Sequence, residues 1–146
     1  MHSEIKKYSK KFAPLAITAA FFTMPLLSGC AAGVGTAWCD FSTNNVHNST
    51  GTPSDMVAKS RATCSSAVHV SGYIEIEKQG FLGTWSTYAH QEIEPFTATP
   101  GKQVTRQVAA PCAKGSFRNK THVVASYDGE TKSGTMVSNP TENPCG

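Results

Sequence analysis

The sequence has 146 residues, with 13 Lys and Arg against 10 Asp and Glu, so its formal net charge is +3. Four of the lysines lie within the first eleven residues, and residues 30–146 are close to neutral, with only the neighbourhood of Arg118 and Lys120 locally positive. A near-neutral stretch of this length suits a single domain, and its charge gives no reason to expect nucleic acid as a partner.

The N-terminal segment has the layout of an export signal. Its lysines precede an almost entirely apolar run over residues 12–27. This run is interrupted by Pro14 and Pro25, and it is shorter than the roughly 20 residues that a membrane-spanning helix needs. We therefore predict that residues 1–29 are a cleaved signal peptide and that the rest of the chain is exported.

Residues 27–30 read LSGC, which is leucine, two small residues and cysteine. This segment resembles the lipobox of bacterial lipoproteins. The resemblance implies that the Cys30 thiol receives a diacylglyceryl group, that the chain is cut before Cys30, and that the acyl chains hold the protein on the outward face of the cell membrane. Each buried CH₂ contributes about 0.8 kcal/mol, so two or three chains give a durable anchor. The alternative is ordinary cleavage after Ala37, which would release a secreted protein.

The sequence predicts a tether and then a short helix at the start of the mature chain. Residues 30–52 are rich in Gly, Ala, Ser, Thr and Asn and predict a lipidated tether, with Trp38 and Cys39 as the expected start of ordered structure. The sequence TPSD at residues 52–55 combines an N-cap, a proline and an acidic residue, which predicts a helix over residues 53–61.

From Cys64 onward apolar residues recur with a period of two, which indicates strands. The segment GFLG at residues 80–83 separates two such runs, so residues 73–89 predict a hairpin. Further strands are predicted at 102–108, 121–127 and 132–137. Residues 53–146 are therefore predicted to form a small antiparallel β-sandwich or a partly open barrel, with one short N-terminal helix and two disulfides.

The disulfides are assigned to the four cysteines that remain besides Cys30, namely Cys39, Cys64, Cys112 and Cys145. Asp128-Gly129 suits a two-residue hairpin turn, and residues equally distant from that turn face each other. Cys112 and Cys145 satisfy this condition, which favours their pairing and leaves Cys39 with Cys64. An immunoglobulin-like bond between Cys64 and Cys112, around Trp85, is the alternative.

Four segments of residues 62–146 carry a second resemblance. They are Cys64 ahead of an alternating strand, Gly83-Thr84-Trp85, residues 111–118 with the sequence PCAKGSFR, and the closing Cys145. Together they resemble small exported β-sandwich proteins of unknown function that are common in actinobacteria. The resemblance implies a fold and carries no activity.

The sequence has no motif that indicates catalysis or a cofactor. It contains no Gly-x-Ser-x-Gly elbow and no glycine-rich phosphate loop. The alternating carboxylates Glu75/Glu77 and Glu92/Glu94 are interpreted as a solvated sheet face. We expect no metal site, since one would have to assemble across the fold, for instance from His69, His90 and Glu92.

The segment most suggestive of function is Phe81-Leu82 at the predicted hairpin tip, with Trp85 and Tyr88 close behind. Two large apolar residues at a tip lower solubility unless the domain or a partner covers them. One hypothesis is that these four residues bind a protein, an envelope polymer or an apolar ligand. The other, which loops of this kind more often fit, is a loop folded back on the core. The predicted protein is thus a lipid-anchored, non-enzymatic binding module, and the alternatives are a small exported hydrolase or an unlipidated secreted effector or inhibitor.

Overall fold

The structure is a computed structural model that describes residues 20–25 and 29–146. Within these residues the chain forms strands and no helix. The strands are β1 Ala20–Pro25, β2 Gly29–Val34, β3 Ala37–Thr43, β4 His47–Asn48, β5 Asp55–Cys64, β6 His69–Gln79, β7 Trp85–Thr97, β8 Gln103–Pro111, β9 Ser116–Tyr127, β10 Glu130–Val137 and β11 Thr141–Glu142.

The strands are arranged in two sheets that enclose one core, so the predicted β-sandwich with two disulfides is confirmed. Sheet A has the order β1-β10-β9-β6-β7, with β11 also paired to β9. Sheet B has β2, β3 and β5 in order, with β4 and β8 both paired to β5. Neighbouring strands are antiparallel except β1 and β10, which are parallel.

The helix predicted over residues 53–61 is wrong, because residues 55–61 belong to β5 and residues 53–54 lie in the turn before it. The TPSD sequence makes a turn instead, in which the Asp55 N–H donates to the Thr52 carbonyl at 2.9 Å. Beyond that turn, Ala58, Ser60 and Ala62 point inward and are buried. These small residues give only a weak apolar signal, so the sequence does not show their period of two clearly.

Residues 30–52 do not form the predicted tether. They contain most of β2, together with β3 and β4, and β2 pairs with β3 from Gly29 opposite Ser42 to Val34 opposite Ala37. Val34 and Ala37 are fully buried. Within the predicted mature chain, ordered structure therefore begins with β2 and not at Trp38 and Cys39. The rest of the predicted signal peptide lies outside the described residues, apart from the backbone of β1.

The two sheets meet over a core of large apolar side chains, of which the largest are Phe41, Met56, Ile74, Ile76 and Phe117. Buried polar contacts also cross between the sheets. The Asn119 amide donates to the carbonyls of Asn44 and Lys59, at 3.1 and 3.0 Å, and the hydroxyls of Thr121 and Ser60 lie 2.6 Å apart. Satisfied polar contacts of this kind fix how the two sheets are aligned.

The disulfides join Cys39 to Cys64 and Cys112 to Cys145, and the alternative Cys64–Cys112 bond is not formed. Cys39 and Cys64 face each other directly across β3 and β5. The second bond does not arise from the ladder that suggested it, because the β9–β10 register ends at Lys120 opposite Val137. It instead joins the segment after β8 to the segment after β11.

Candidate functional site

The β6–β7 hairpin ends in an exposed apolar tip, which we define as Phe81 and Leu82. Their side chains are 102% and 83% exposed, so neither packs on the core. The loop is therefore not folded back on the domain. This hairpin was predicted from the sequence, and its strands close with Gln79 opposite Trp85.

The backbone of the tip is held by its own hydrogen bonds. The Gly80 N–H donates to the Thr84 carbonyl at 2.7 Å, and the Gly83 N–H donates to the Gly80 carbonyl at 3.0 Å. Gly83 has φ of 79°, a conformation that glycine adopts without steric cost. The tip thus presents its two side chains from a defined turn, which lowers the entropy lost when they are bound.

The other two residues predicted for this surface lie behind the tip on different faces of sheet A. The Trp85 ring packs beneath the Arg118 guanidinium, 4.2 Å from its centroid. Tyr88 packs edge-on against the buried Phe117 ring at 5.3 Å and donates from its hydroxyl to the Pro111 carbonyl at 3.2 Å. The four predicted residues therefore do not form one surface, and only Phe81 and Leu82 are freely exposed.

Charged side chains pair with one another across the outer face of sheet A. Arg118 Nε donates to Glu77 Oε2 at 2.6 Å, and this carboxylate belongs to a residue only 6% exposed. Lys120 Nζ lies 3.7 Å from carboxylate oxygens of both Glu75 and Glu77. The register of β6 with β9 places Glu77 opposite Arg118 and Glu75 opposite Lys120. The locally positive neighbourhood seen in the sequence is thereby neutralised.

His90 lies between two carboxylates on the same face. Its Nδ1 is 2.9 Å from Glu75 and its Nε2 is 2.8 Å from Glu92. Hydrogen bonds to Glu75 and then to Glu92 raise the pKa of His90, since both ring nitrogens can donate only in the imidazolium form. His69 is not part of this cluster; it lies six residues from Glu75 along β6 and contacts Thr97.

Tyr73 lies between His90 and a second histidine, His122, with ring centroids 5.2 and 5.3 Å away. Nδ1 of His122 is 3.0 Å from the Thr135 hydroxyl. Burial, and then the charge of Lys120, lower the pKa of His122. The pKa values of the two histidines are therefore shifted in opposite directions from the usual pKa of histidine. Among the described residues, no group of three or more His, Cys, Asp or Glu is arranged to hold a metal ion.

Cys30, the residue predicted to be lipidated, is the free cysteine of the described residues and lies in β2. It is half-buried and packs against the core. Burial, and then the charge of Asp40, raise the pKa of its thiol to about 11. A thiol with so high a pKa is a poor nucleophile in the folded domain.

The chain matches no protein-family model and no curated protein. Among the described residues, none lies in a helix with the length and hydropathy that crossing a membrane requires.

Proposed function

We propose that this chain is a lipid-anchored domain of the cell envelope that acts by binding, with the Phe81-Leu82 tip as its contact surface and no catalytic role. The observation that carries the proposal is the near-complete exposure of both side chains on an ordered turn. Large apolar side chains held in water in this way favour a contact that removes them from it.

The packing of β2 in the domain supports cleavage before Cys30 rather than after Ala37. Ala32, Val34 and Ala37 are buried in the core. Cleavage after Ala37 would remove the whole of β2 and leave the pockets of Ala32 and Val34 empty, at a cost in stability. Cleavage before Cys30 keeps every residue of the core cluster.

The burial of Cys30 constrains when acylation would occur. Because its thiol packs against the core and has a raised pKa, the diacylglyceryl group would be attached before the domain folds. In the mature chain Cys30 would then be the first residue of an edge strand, where the chain end can separate from the sheet and turn the acylated sulfur toward the membrane.

Intact mass of the protein from the membrane fraction tests the anchor. The expected mass is that of residues 30–146 plus acyl groups and minus four protons for two disulfides. A Cys30→Ala variant should lose the acyl mass. An unlipidated product in the medium that begins near Trp38 would refute the anchor and would favour a secreted protein.

Photo-crosslinking tests the contact surface. A photoreactive amino acid at position 82 should link to an envelope component, and the link should be lost when Phe81→Ser is added to the same chain. The same probe at Gln107, exposed on β8, is the matched control and should link much less. If position 82 links no more than position 107, or if Phe81→Ser leaves the link unchanged, the tip is not the contact surface.

A further inference from the structure

We propose that the partner of the Phe81-Leu82 tip is a phospholipid bilayer with anionic headgroups, into which the tip inserts. This inference rests on the proposed function, because it names the partner of the same tip. The tip is a convex knob of two apolar side chains. A protein would need a matching cavity to cover such a knob, whereas a bilayer accepts it without a preformed pocket.

Two lysines at the base of the tip give this surface its preference for anionic headgroups. Lys78 lies on β6 just before the tip, and its ammonium group is 5.6 Å from the Phe117 ring centroid. The end of its side chain also lies close to Gly115, so the segment that contains Lys114 runs beside the end of β6 from which the tip projects. Neither lysine forms an ion pair with any of the described residues.

The acids on neighbouring strands form no ion pair with these lysines among the described residues. Glu77 pairs with Arg118 at 2.6 Å, and Glu142, which lies on β11 opposite Ser116, is within ion-pair distance of neither lysine. The surroundings of the tip therefore combine two exposed apolar side chains with two cations that form no ion pair with the described residues. This combination of apolar insertion and basic residues is the physical basis of binding at an anionic membrane surface.

The structure of the tip suits shallow insertion into a bilayer. Phe81 and Leu82 occupy a short turn, so they can reach the headgroup and upper acyl region, about 5–10 Å deep, without taking the strands with them. The ammonium group of Lys78 lies over the Phe117 ring at the end of a long, flexible side chain, so it can turn outward to contact phosphate groups. The paired charges of Glu77 and Arg118 stay behind the tip, where they need not be desolvated.

Fluorescence quenching in vesicles tests insertion with the full chain. The chain has two tryptophans, Trp38 and Trp85, so a Trp38→Phe/Trp85→Phe/Phe81→Trp variant carries one reporter, at the tip. A Trp85→Phe variant keeps Trp38 as a matched reporter, which is 63% exposed on sheet B. Both variants are reconstituted in phosphatidylcholine–phosphatidylglycerol vesicles whose acyl chains carry bromine.

We expect bromine to quench the tip reporter strongly, with a blue shift of its emission, and to quench the Trp38 reporter much less. Lys78→Gln/Lys114→Gln in the tip-reporter chain should shift the equilibrium away from the inserted tip by about fivefold for each lysine in the anionic vesicles. Equal weak quenching of the two reporters would overturn the inference. If the cross-link from position 82 still depends on Phe81 in that case, the tip binds a protein or polymer and only the membrane inference fails.

Discussion

Gly72 in β6 provides a sharp test of how closely the strands of sheet A pack. Its φ is 140°, and a Cβ placed on it would lie 1.9 Å from the His122 carbonyl oxygen and 3.0 Å from Val123 Cα. These are backbone atoms of β9, whose pairing with β6 and β10 leaves them no freedom to move aside. Gly72→Ala must therefore separate the strands locally or distort the pairing of β6 with β7, whose register shifts between Val70 and Gly72.

The expected loss of stability is the sum of two energetic costs. The positive φ costs an alanine about 1–2 kcal/mol, and displacing packed backbone costs about 1–3 kcal/mol. Gly72→Ala should thus lower the free energy of unfolding by about 2–5 kcal/mol. The matched control is Gly51→Ala, because a Cβ there meets nothing within 4 Å. The control should change stability by no more than about 1 kcal/mol.

Urea unfolding of both variants, with the disulfides intact, measures the difference. A fall in the midpoint at constant slope would show lost stability, whereas a changed slope would indicate an altered unfolded or native state. If Gly72→Ala unfolds at the same urea concentration as Gly51→Ala, then β6 and β9 do not approach as closely as the 1.9 Å contact requires.

Four further predictions concern the outer face of sheet A and one disulfide. Arg118→Ala leaves the nearly buried Glu77 carboxylate with only a lysine at 3.7 Å, so it should cost about 2–3 kcal/mol in urea unfolding; a loss below about 0.5 kcal/mol would contradict the importance of the pair. The raised pKa of His90 gives stability that is present below its ordinary pKa and is lost as pH rises through the folded value, so His90→Gln should destabilise most in mild acid. The lowered pKa of His122 has the opposite effect: it costs stability, increasingly as pH falls below the ordinary pKa of histidine, so His122→Gln should remove that loss of stability. Thermal unfolding from pH about 5 to 8 tests both histidine predictions. Identical pH profiles for the two variants would refute the opposite directions of the two pKa shifts. Replacing Cys112 and Cys145 with serine opens a loop of 33 residues and should lower the free energy of urea unfolding by about 3–4 kcal/mol; a loss below about 1 kcal/mol would contradict the loop-closure account.

The sequence predicted those parts of the fold that depend on local chemistry. The β9–β10 turn follows from Asp128-Gly129, whose φ values of 49° and 77° suit a two-residue hairpin. The period of two around Ile74 and Ile76 predicted β6, because inward and outward positions alternate along a strand. In both cases neighbouring residues carry the whole signal.

The features that the sequence did not predict depend on contacts between distant segments. The TPSD sequence at residues 52–55 suits a helix start and a turn equally well, and the sheet partners of β5 decide between them. Small residues in β2 and β5 gave no strong apolar pattern, so a tether and a helix were predicted there. The pairing of Glu77 with Arg118 depends on the register of β6 with β9, which no local pattern encodes.

At the candidate site, the tip was found from composition alone, since two large apolar residues stand between glycines. Tyr88 was assigned to the same surface because it is near in sequence. A shift in the β6–β7 register between Ile76 and Glu77 changes the alternation there, and Tyr88 packs against Phe117 instead. Sequence proximity on a strand therefore predicts a shared surface only where the alternation is unbroken.

The bond between Cys39 and Cys64 has a mechanical consequence. Force applied at the N-terminal end of the domain would peel β2 from β3 one hydrogen bond at a time, because Gly29 is at the free end of this antiparallel pair. Peeling could continue into β3 only as far as Cys39, where the covalent link to β5 stops it. A domain held by its N-terminus and pulled at the β6–β7 hairpin would thus lengthen by about ten residues, 29–38, and keep the remainder of its sandwich closed.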